Sequence, residues 1–427
     1  MPAKIHIERM MYRSSVAIAG ESAASYALVK LIPTGEGTGK PVGLNLALVL
    51  DVSGSMYEED GTGISRLKRI QDAAINAIQQ LKPEDSLALV AFAHNCQVVL
   101  PSTSLAEKAK IEDFIRKIDM FDVDPGGTAM DLGMEEGIKQ VEAQAGEGRL
   151  SQVLVLTDGE TSGETRCRQL AQEAAAKKVN LTMMGVGTEW NSSLIKDLAN
   201  LGQGKWHYID VNEAQSAERI FAEEFQSLAS VGFTDVEMHI KPFKDIKIKR
   251  LRQVVPEIKE LKLEGGDGQP LVAKLGTLEK DKPTRYIIDL TLPRRPDGQY
   301  AIAKLEVTYD IGSGKRESTG EYPLEVKYTS ASQGHINAEV ARHIDEVQIF
   351  ELNKDLQKAI ATGDQQKVEE RAKQIEKKAE VMGPRAAKKT MLAKQVLQEL
   401  NAGGRVSKKT QLAMDDIARD VAESPLP

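Results

Sequence analysis

A chain of 427 residues, 41% hydrophobic and 28% charged, reads as an ordinary globular protein of two or three domains. Its net charge of -7 argues against nucleic acid as the main partner. No apolar run reaches the roughly 18 residues that span a bilayer, and Cys96 and Cys167 have neither metal nor redox spacing. The N-terminal region carries Lys4, His6, Glu8, Arg9 and Arg13, and Glu21 interrupts Val16 to Leu28, so no signal peptide is expected there. Together these predict a cytoplasmic protein with both thiols reduced.

Residues 1–41 show two period-two stretches. Ile5 and Ile7 alternate with Lys4 and His6. Ala27, Val29 and Leu31 alternate less cleanly with Tyr26, Leu28 and Lys30. Two strands are predicted, then a loop over Pro33–Gly43 with four glycines and two prolines. From 42 to 230 strands and helices alternate. Leu44–Leu50, broken only by Asn45, reads as a strand buried on both faces. Asp51-Val52-Ser53-Gly54-Ser55-Met56 follows it, beside the acidic run Glu58, Glu59, Asp60, which reads as a solvated loop tip. A helix is predicted from about Arg66, with Leu67, Ile70, Ala74, Ala77, Ile78 and Leu81 on one face. Ser86–Phe92 is the next buried strand. Only Ala93-His94-Asn95 separates it from Cys96–Leu100, which must therefore pair antiparallel at a sheet edge. A helix over about Leu105–Ile118 precedes Gly126-Gly127-Thr128-Ala129, which is expected to open another. Val153–Leu156, Leu181–Gly185 and Trp206–Ile209 are further strands, and the last helix spans about Asn212–Ala229.

Over 231–330 the period changes to two. Val236, Met238 and Ile240, then Leu305, Val307 and Tyr309, alternate with polar residues, and turns recur at Gly265–Gly268, Pro296–Gly298 and Gly312–Gly314. This predicts a β-sandwich. Lys241–Arg252 reads as a solvated strand face rather than a phosphate-binding stripe. From 331 to 427 the chain is expected to be helical, with breaks at Thr362-Gly363-Asp364, Gly383-Pro384 and Gly403-Gly404. Four helices on short connections should pack antiparallel. They read as a structural cover for the sandwich, with a partner-binding region as the alternative. The whole is an α/β doubly wound domain inserted into a β-sandwich whose first strands precede Pro33, followed by a C-terminal helical region.

Asp51, Ser53 and Ser55 leave the carboxyl end of a buried strand, where open α/β sheets bind ligands. They offer only oxygen, which suits magnesium or manganese rather than zinc. Thr128 and Asp158, the latter in Thr157-Asp158-Gly159 after another buried strand, can complete the shell. Asp-x-Ser-x-Ser, Gly-Gly-Thr and Thr-Asp-Gly, in that order, resemble the metal-ion-dependent adhesion site of the von Willebrand factor type A (VWA) family. The resemblance covers roughly residues 42–230 and is closest to intracellular prokaryotic members. It implies a Rossmann-like fold and a bound Mg²⁺ or Mn²⁺. It also implies that Ser53, Ser55 and Thr128 bind the metal directly or through water, while Asp51 and Asp158 hold waters and neighbouring hydroxyls. The implied partner is a protein that presents an Asp or Glu carboxylate to the metal.

The residues themselves agree with binding rather than turnover. A dehalogenase-like phosphatase needs a second Asp two residues after its nucleophile, and Ser53 stands there. A response-regulator receiver needs further acids and a Lys, where this loop has hydroxyls. The dinucleotide-binding and phosphate-binding glycine loops are absent from the first turn, and no Gly-x-Ser-x-Gly marks a strand–helix turn. His94, in a turn near the sheet's carboxyl edge, reads as a turn histidine bonded to backbone, with a place lining the site as the alternative; His207 and His239 read as structural, and Met183 and Met184 as core. A non-enzymatic, metal-dependent adaptor or scaffold is expected. A magnesium-dependent hydrolase or phosphotransferase and a scaffold with an empty site are the competing readings.

Overall fold

The computed structural model describes residues 4–18, 20–34, 43–59, 62–146, 148–213, 215–266, 268–312, 314–331, 333–419 and 421. Most of the expected 33–43 loop, and Asp60, Asp267 and Ser313, lie outside them. Two compact units result: one takes in Gly39–Gly232 with Gly312–Gly314, the other the rest of the chain. Among the described residues no helix is long and apolar enough to cross a membrane.

The chain begins with β1 (Lys4–Met11) and β2 (Ser22–Thr34), paired antiparallel so that Ile5 lies opposite Pro33. Pro33 and Thr34 thus belong to a strand, not to the loop expected over Pro33–Gly43.

The α/β unit holds β3 (Gly43–Asp51), β4 (Ser86–Phe92), β5 (Cys96–Ser104), β6 (Arg149–Thr157), β7 (Val179–Val186) and β8 (Trp206–Ile209). Its helices are α1 (Arg66–Ile78), α2 (Lys108–Arg116), α3 (Met130–Glu142), α4 (Glu164–Ala176), α5 (Ser192–Leu201) and α6 (Ser216–Ala229). The sheet order is β5-β4-β3-β6-β7-β8. All pairs are parallel except β4 with β5, the hairpin that the short Ala93–Asn95 loop requires. The order reverses at β3, which places a crevice at its carboxyl end. Leu44, Leu46, Leu48 and Leu50 join the core formed with α1 and α6. On the other face α3 approaches so closely that a Cβ added at Gly137 would lie 2.5 Å from Val49 Cγ2. Asn45, which interrupts the apolar run, is buried. It donates to the Val141 carbonyl at 2.6 Å and accepts from Ser86 Oγ at 3.2 Å, tying α3 and β4 to β3.

One helix boundary differs from expectation. Helix α6 starts at Ser216 rather than Asn212, because Asp210 Oδ1 accepts from the Asn212 N–H at 2.9 Å and holds a turn there. Helix α3 starts at Met130. Ala129 is its non-helical N-cap, so Gly126–Thr128 is the loop that leads into the helix, as expected.

Inside this unit Glu224 of α6 is buried, with Thr182 Oγ1 at 2.8 Å, Lys205 Nζ at 3.2 Å and His207 Nε2 at 3.4 Å. Burial alone would raise its carboxyl. The Lys205 charge, the His207 ring and the Thr182 hydroxyl outweigh burial and hold it well below its ordinary 4.5. A carboxyl depressed by folding contributes stability above pH 4.5 that is lost as pH falls below it. Glu224→Gln is therefore expected to cost about 2 kcal/mol at neutral pH and to flatten the acid limb of the stability profile. Urea denaturation across that range checks this, and an unchanged acid limb would count against it.

The second unit adds β9 (Val231–Pro242), β10 (Lys247–Val255), β11 (Lys259–Leu261), β12 (Leu271–Glu279), β13 (Thr284–Pro293), β14 (Gly298–Asp310), β15 (Arg316–Ser318) and β16 (Tyr322–Tyr328). One antiparallel sheet runs β1-β2-β13-β10-β11, the other β12-β9-β14-β15 with β16 also on β14. The two sheets share a core: Ile7, Val29, Leu31, Ile288 and Leu290 from one, Met238, Ile240, Leu305 and Val307 from the other. Lys241–Arg252 is not uniformly solvated, for Arg252 is buried and pairs with Asp289 at 2.8 Å.

Among the described residues four α-helices follow: α7 (Ala338–Thr362), α8 (Gln365–Met382), α9 (Ala387–Gly403) and α10 (Lys408–Arg419). Asn337 caps α7 by accepting from the Glu339 and Val340 N–H groups, and Gly363 ends it at φ 71°, a left-handed conformation that glycine adopts without strain. Val340, Ile344 and Val347 of α7 cover Leu28, Val254 and Ile287, on the outer face of the first sheet. That contact explains the imperfect alternation in β2: Leu28 is buried from the opposite side to Val29.

Candidate metal centre

Strand β3 ends at Asp51 and β6 at Thr157, side by side in the sheet, so Asp51 and Asp158 emerge together at its carboxyl edge. Asp51 Oδ1 accepts from the Ser53 N–H at 2.9 Å, and Oδ2 accepts from Thr157 Oγ1 at 2.7 Å. The first of these bonds folds the loop back so that the Ser53 and Ser55 hydroxyls lie 3.2 Å apart. Ser55 Oγ donates to Asp158 Oδ1 at 2.7 Å. The Gly126–Thr128 loop joins them: the Gly54 N–H donates to the Pro125 carbonyl at 3.2 Å, and a Cβ added at Gly159 would lie 3.2 Å from Thr128 Oγ1. All five expected residues are brought to one end of the sheet.

Burial pushes the Asp51 carboxyl up to about 6 and the nearby Asp158 charge adds to the rise, against hydrogen bonds from Ser53 and Thr157. Two buried carboxylates thus share the site with hydroxyls. A divalent cation would relieve that, and the donor set of carboxylate and hydroxyl oxygens fits magnesium or manganese. Among the described residues no three His, Cys, Asp or Glu side chains gather as a metal cluster, so the hydroxyls are essential to this fit.

Residues 45–223 match the family model of the von Willebrand factor type A domain. The chain carries a VWA domain. The uncharacterized protein sll0103 of Synechocystis sp. is 29% identical over 330 residues, 76% of this chain and 75% of its own. The uncharacterized protein YfbK of Escherichia coli is 24% identical over 302 residues, 66% of this chain but only 50% of its own length. Among solved structures, a von Willebrand factor type A protein from Catenulispora acidiphila aligns over 98% of this chain and 97% of its own, with TM-score 0.78 at 18% identity. The ArnB paralog VWA2 from Sulfolobus acidocaldarius aligns over 97% and 98%, with TM-score 0.58 at 15% identity. Both show a fold shared along nearly the whole chain.

Two groups at the rim of this loop cluster, Arg66 and Thr157, escaped sequence reasoning, and a third, His94, was expected there only as the alternative. Arg66, read only as the start of α1, pairs with Asp158 at 2.7 Å and with Glu58 at 2.7 Å. Glu58 is therefore an ion-pair partner and not merely a solvated tip. Thr157, read only as part of the Thr-Asp-Gly motif, is the hydroxyl that orients Asp51. His94 lies against the glycine loop: a Cβ added at Gly127 would meet its Nδ1 at 3.3 Å. Its backbone N–H donates to the Asp124 carbonyl at 2.9 Å. The position of Arg66 fifteen residues beyond Asp51, at a helix start, was the one sequence signal for its role. His207 and His239 lie away from this loop cluster, beside Glu224 and Thr308. Met183 and Met184 are in the core.

Proposed function

We propose that this protein is a divalent-cation-dependent protein-interaction module, an intracellular adaptor or scaffold that captures a partner's Asp or Glu carboxylate and catalyses no reaction. The observation that carries the reading is the hydroxyl-rich junction of Ser53, Ser55 and Thr128 with two buried carboxylates at the sheet's switch point. Asp51, Ser53, Ser55, Thr128 and Asp158 would hold Mg²⁺ or Mn²⁺. When bound, the cation supplies the positive charge and the open position that a hard oxygen donor fills. Asp51 anchors the loop through the Ser53 N–H, and Asp158 orients the Ser55 hydroxyl. Neutral hydroxyls leave charge for an outside carboxylate to neutralise. Ser53 stands where a phosphatase would place its acid, which supports binding over hydrolysis. The free thiols Cys96 and Cys167 support a reducing setting.

Affinity capture from the source cell tests this. A partner retained with Mg²⁺ and lost with EDTA, and lost by Thr128→Ala, is expected. Capture that persists in EDTA or in that variant would overturn the carboxylate-on-metal mechanism.

A further inference from the structure

We infer that Arg66 is a positioning residue that sets the charge of the metal site: it weakens the hold on the cation and leaves the loaded site with the positive charge that attracts a carboxylate. The inference rests on the metal reading above. Arg66 opens α1 with its side chain only 16% exposed, and Asp158 is fully buried. One guanidinium nitrogen lies 2.7 Å from Asp158 Oδ2 and 3.4 Å from the Ser55 carbonyl oxygen, and the other lies 2.7 Å from Glu58 Oε2. Asp158 Oδ1 accepts from Ser55 Oγ. Both oxygens of Asp158 are thus engaged by the chain, one with a hydroxyl and one with a fixed cation. Asp158 is held to orient Ser55, and its negative charge is largely matched before any metal arrives.

The charges follow. Asp51 and Asp158 contribute two negative charges and Arg66 one positive, leaving one negative. A divalent cation brings the site to one positive. Without Arg66 the same cation would leave it neutral, bound more tightly and with less attraction for a carboxylate. Glu58 does not reverse this: its side chain is 62% exposed, and it is present with and without Arg66, so removing the guanidinium lowers the charge of the loaded site by one in either case. A purely structural role for Arg66 predicts the opposite sign for the metal. Losing it would leave Asp158 unpaired, disorder the loop and weaken cation binding.

The test uses the full chain. Mg²⁺ affinity is measured by calorimetry, and acetate binding to the Mn²⁺-loaded site by water-proton relaxation. Arg66→Gln keeps a donor for Asp158 but removes the charge. It is expected to tighten Mg²⁺ binding on the order of tenfold and to weaken acetate binding by a similar factor. Arg66→Lys keeps the charge, and both affinities should stay within about threefold of the wild type, since only the forked contact is lost. Unchanged or weaker Mg²⁺ binding in a cooperatively folded Arg66→Gln variant would overturn the inference while leaving the metal site intact. Should Arg66→Gln fail to fold, Arg66→Lys still decides. A tenfold tightening there would assign the effect to geometry and overturn the charge argument, and near-wild-type affinities would support it. If the wild type binds neither cation, the metal reading itself fails and the inference falls with it.

Discussion

Mg²⁺ or Mn²⁺ at a hundred times its dissociation constant is expected to stabilise the VWA domain by about 2.7 kcal/mol, because a ligand bound only by the native state raises stability by mass action. Asp51→Ala is expected to abolish that increment. Asp51 is fully buried and accepts from the Ser53 N–H and Thr157 Oγ1, so it fixes both the Ser53–Ser55 loop and the end of β6. Its carboxyl, pushed up to about 6 by burial, is ionised at neutral pH against an unfavourable environment. A cation beside it offsets that cost. The variant also loses hydrogen bonds and will melt lower without metal. The deciding quantity is therefore the difference in melting temperature between cation and EDTA, measured on each protein. An equal rise in Asp51→Ala would remove Asp51 from the site.

Lys389→Met is expected to destabilise the second unit by about 3–5 kcal/mol, the usual result of leaving one member of a buried ion pair alone. Lys389 of α9 and Glu346 of α7 are 4% and 3% exposed, and the ammonium donates directly to the carboxylate. Removing the ammonium strands a negative charge among the residues that join these two helices. Adding Glu346→Leu should recover most of the loss, since a buried pair replaced by apolar side chains of similar size is neutral or stabilising. Urea denaturation of the single and double variants measures both effects. A double variant as unstable as Lys389→Met would show that packing, not the stranded charge, was responsible.

The candidate site was legible where its chemistry is local. Asp51, Ser53 and Ser55 sit within five residues behind an apolar strand broken only by Asn45, and Thr128 and Asp158 fall at loops of the same α/β alternation. Burial on both faces of a parallel strand leaves a continuous apolar run, so β3, β4 and β6 could be read directly. The three-residue loop before β5 left no room for a crossover, so its antiparallel pairing followed from length alone. Boundaries were less legible. The start of α6 depends on the Asp210 turn, which competes with helix by hydrogen bonding rather than by periodicity.

The sequence by itself determined the α/β alternation of residues 42–230, the period-two and helical regions that follow, and which oxygen-bearing residues stand at strand ends, because periodicity and turn chemistry act over a few residues. Tertiary structure alone decided the partners. Arg66 meets Asp158 across 92 residues of chain, and Thr157 reaches Asp51 across 106. Neither contact leaves a trace in local pattern, since a lone Arg or Thr at an element end has many acceptors within reach. The same holds for β2, whose pairing with β13 joins residues more than 250 positions apart, as Leu31 with Thr284. It holds too for Leu28, buried only because α7 covers the outer face of that sheet. An apolar side chain specifies that it must leave water, and the hydrophobic effect has no direction with which to specify against what.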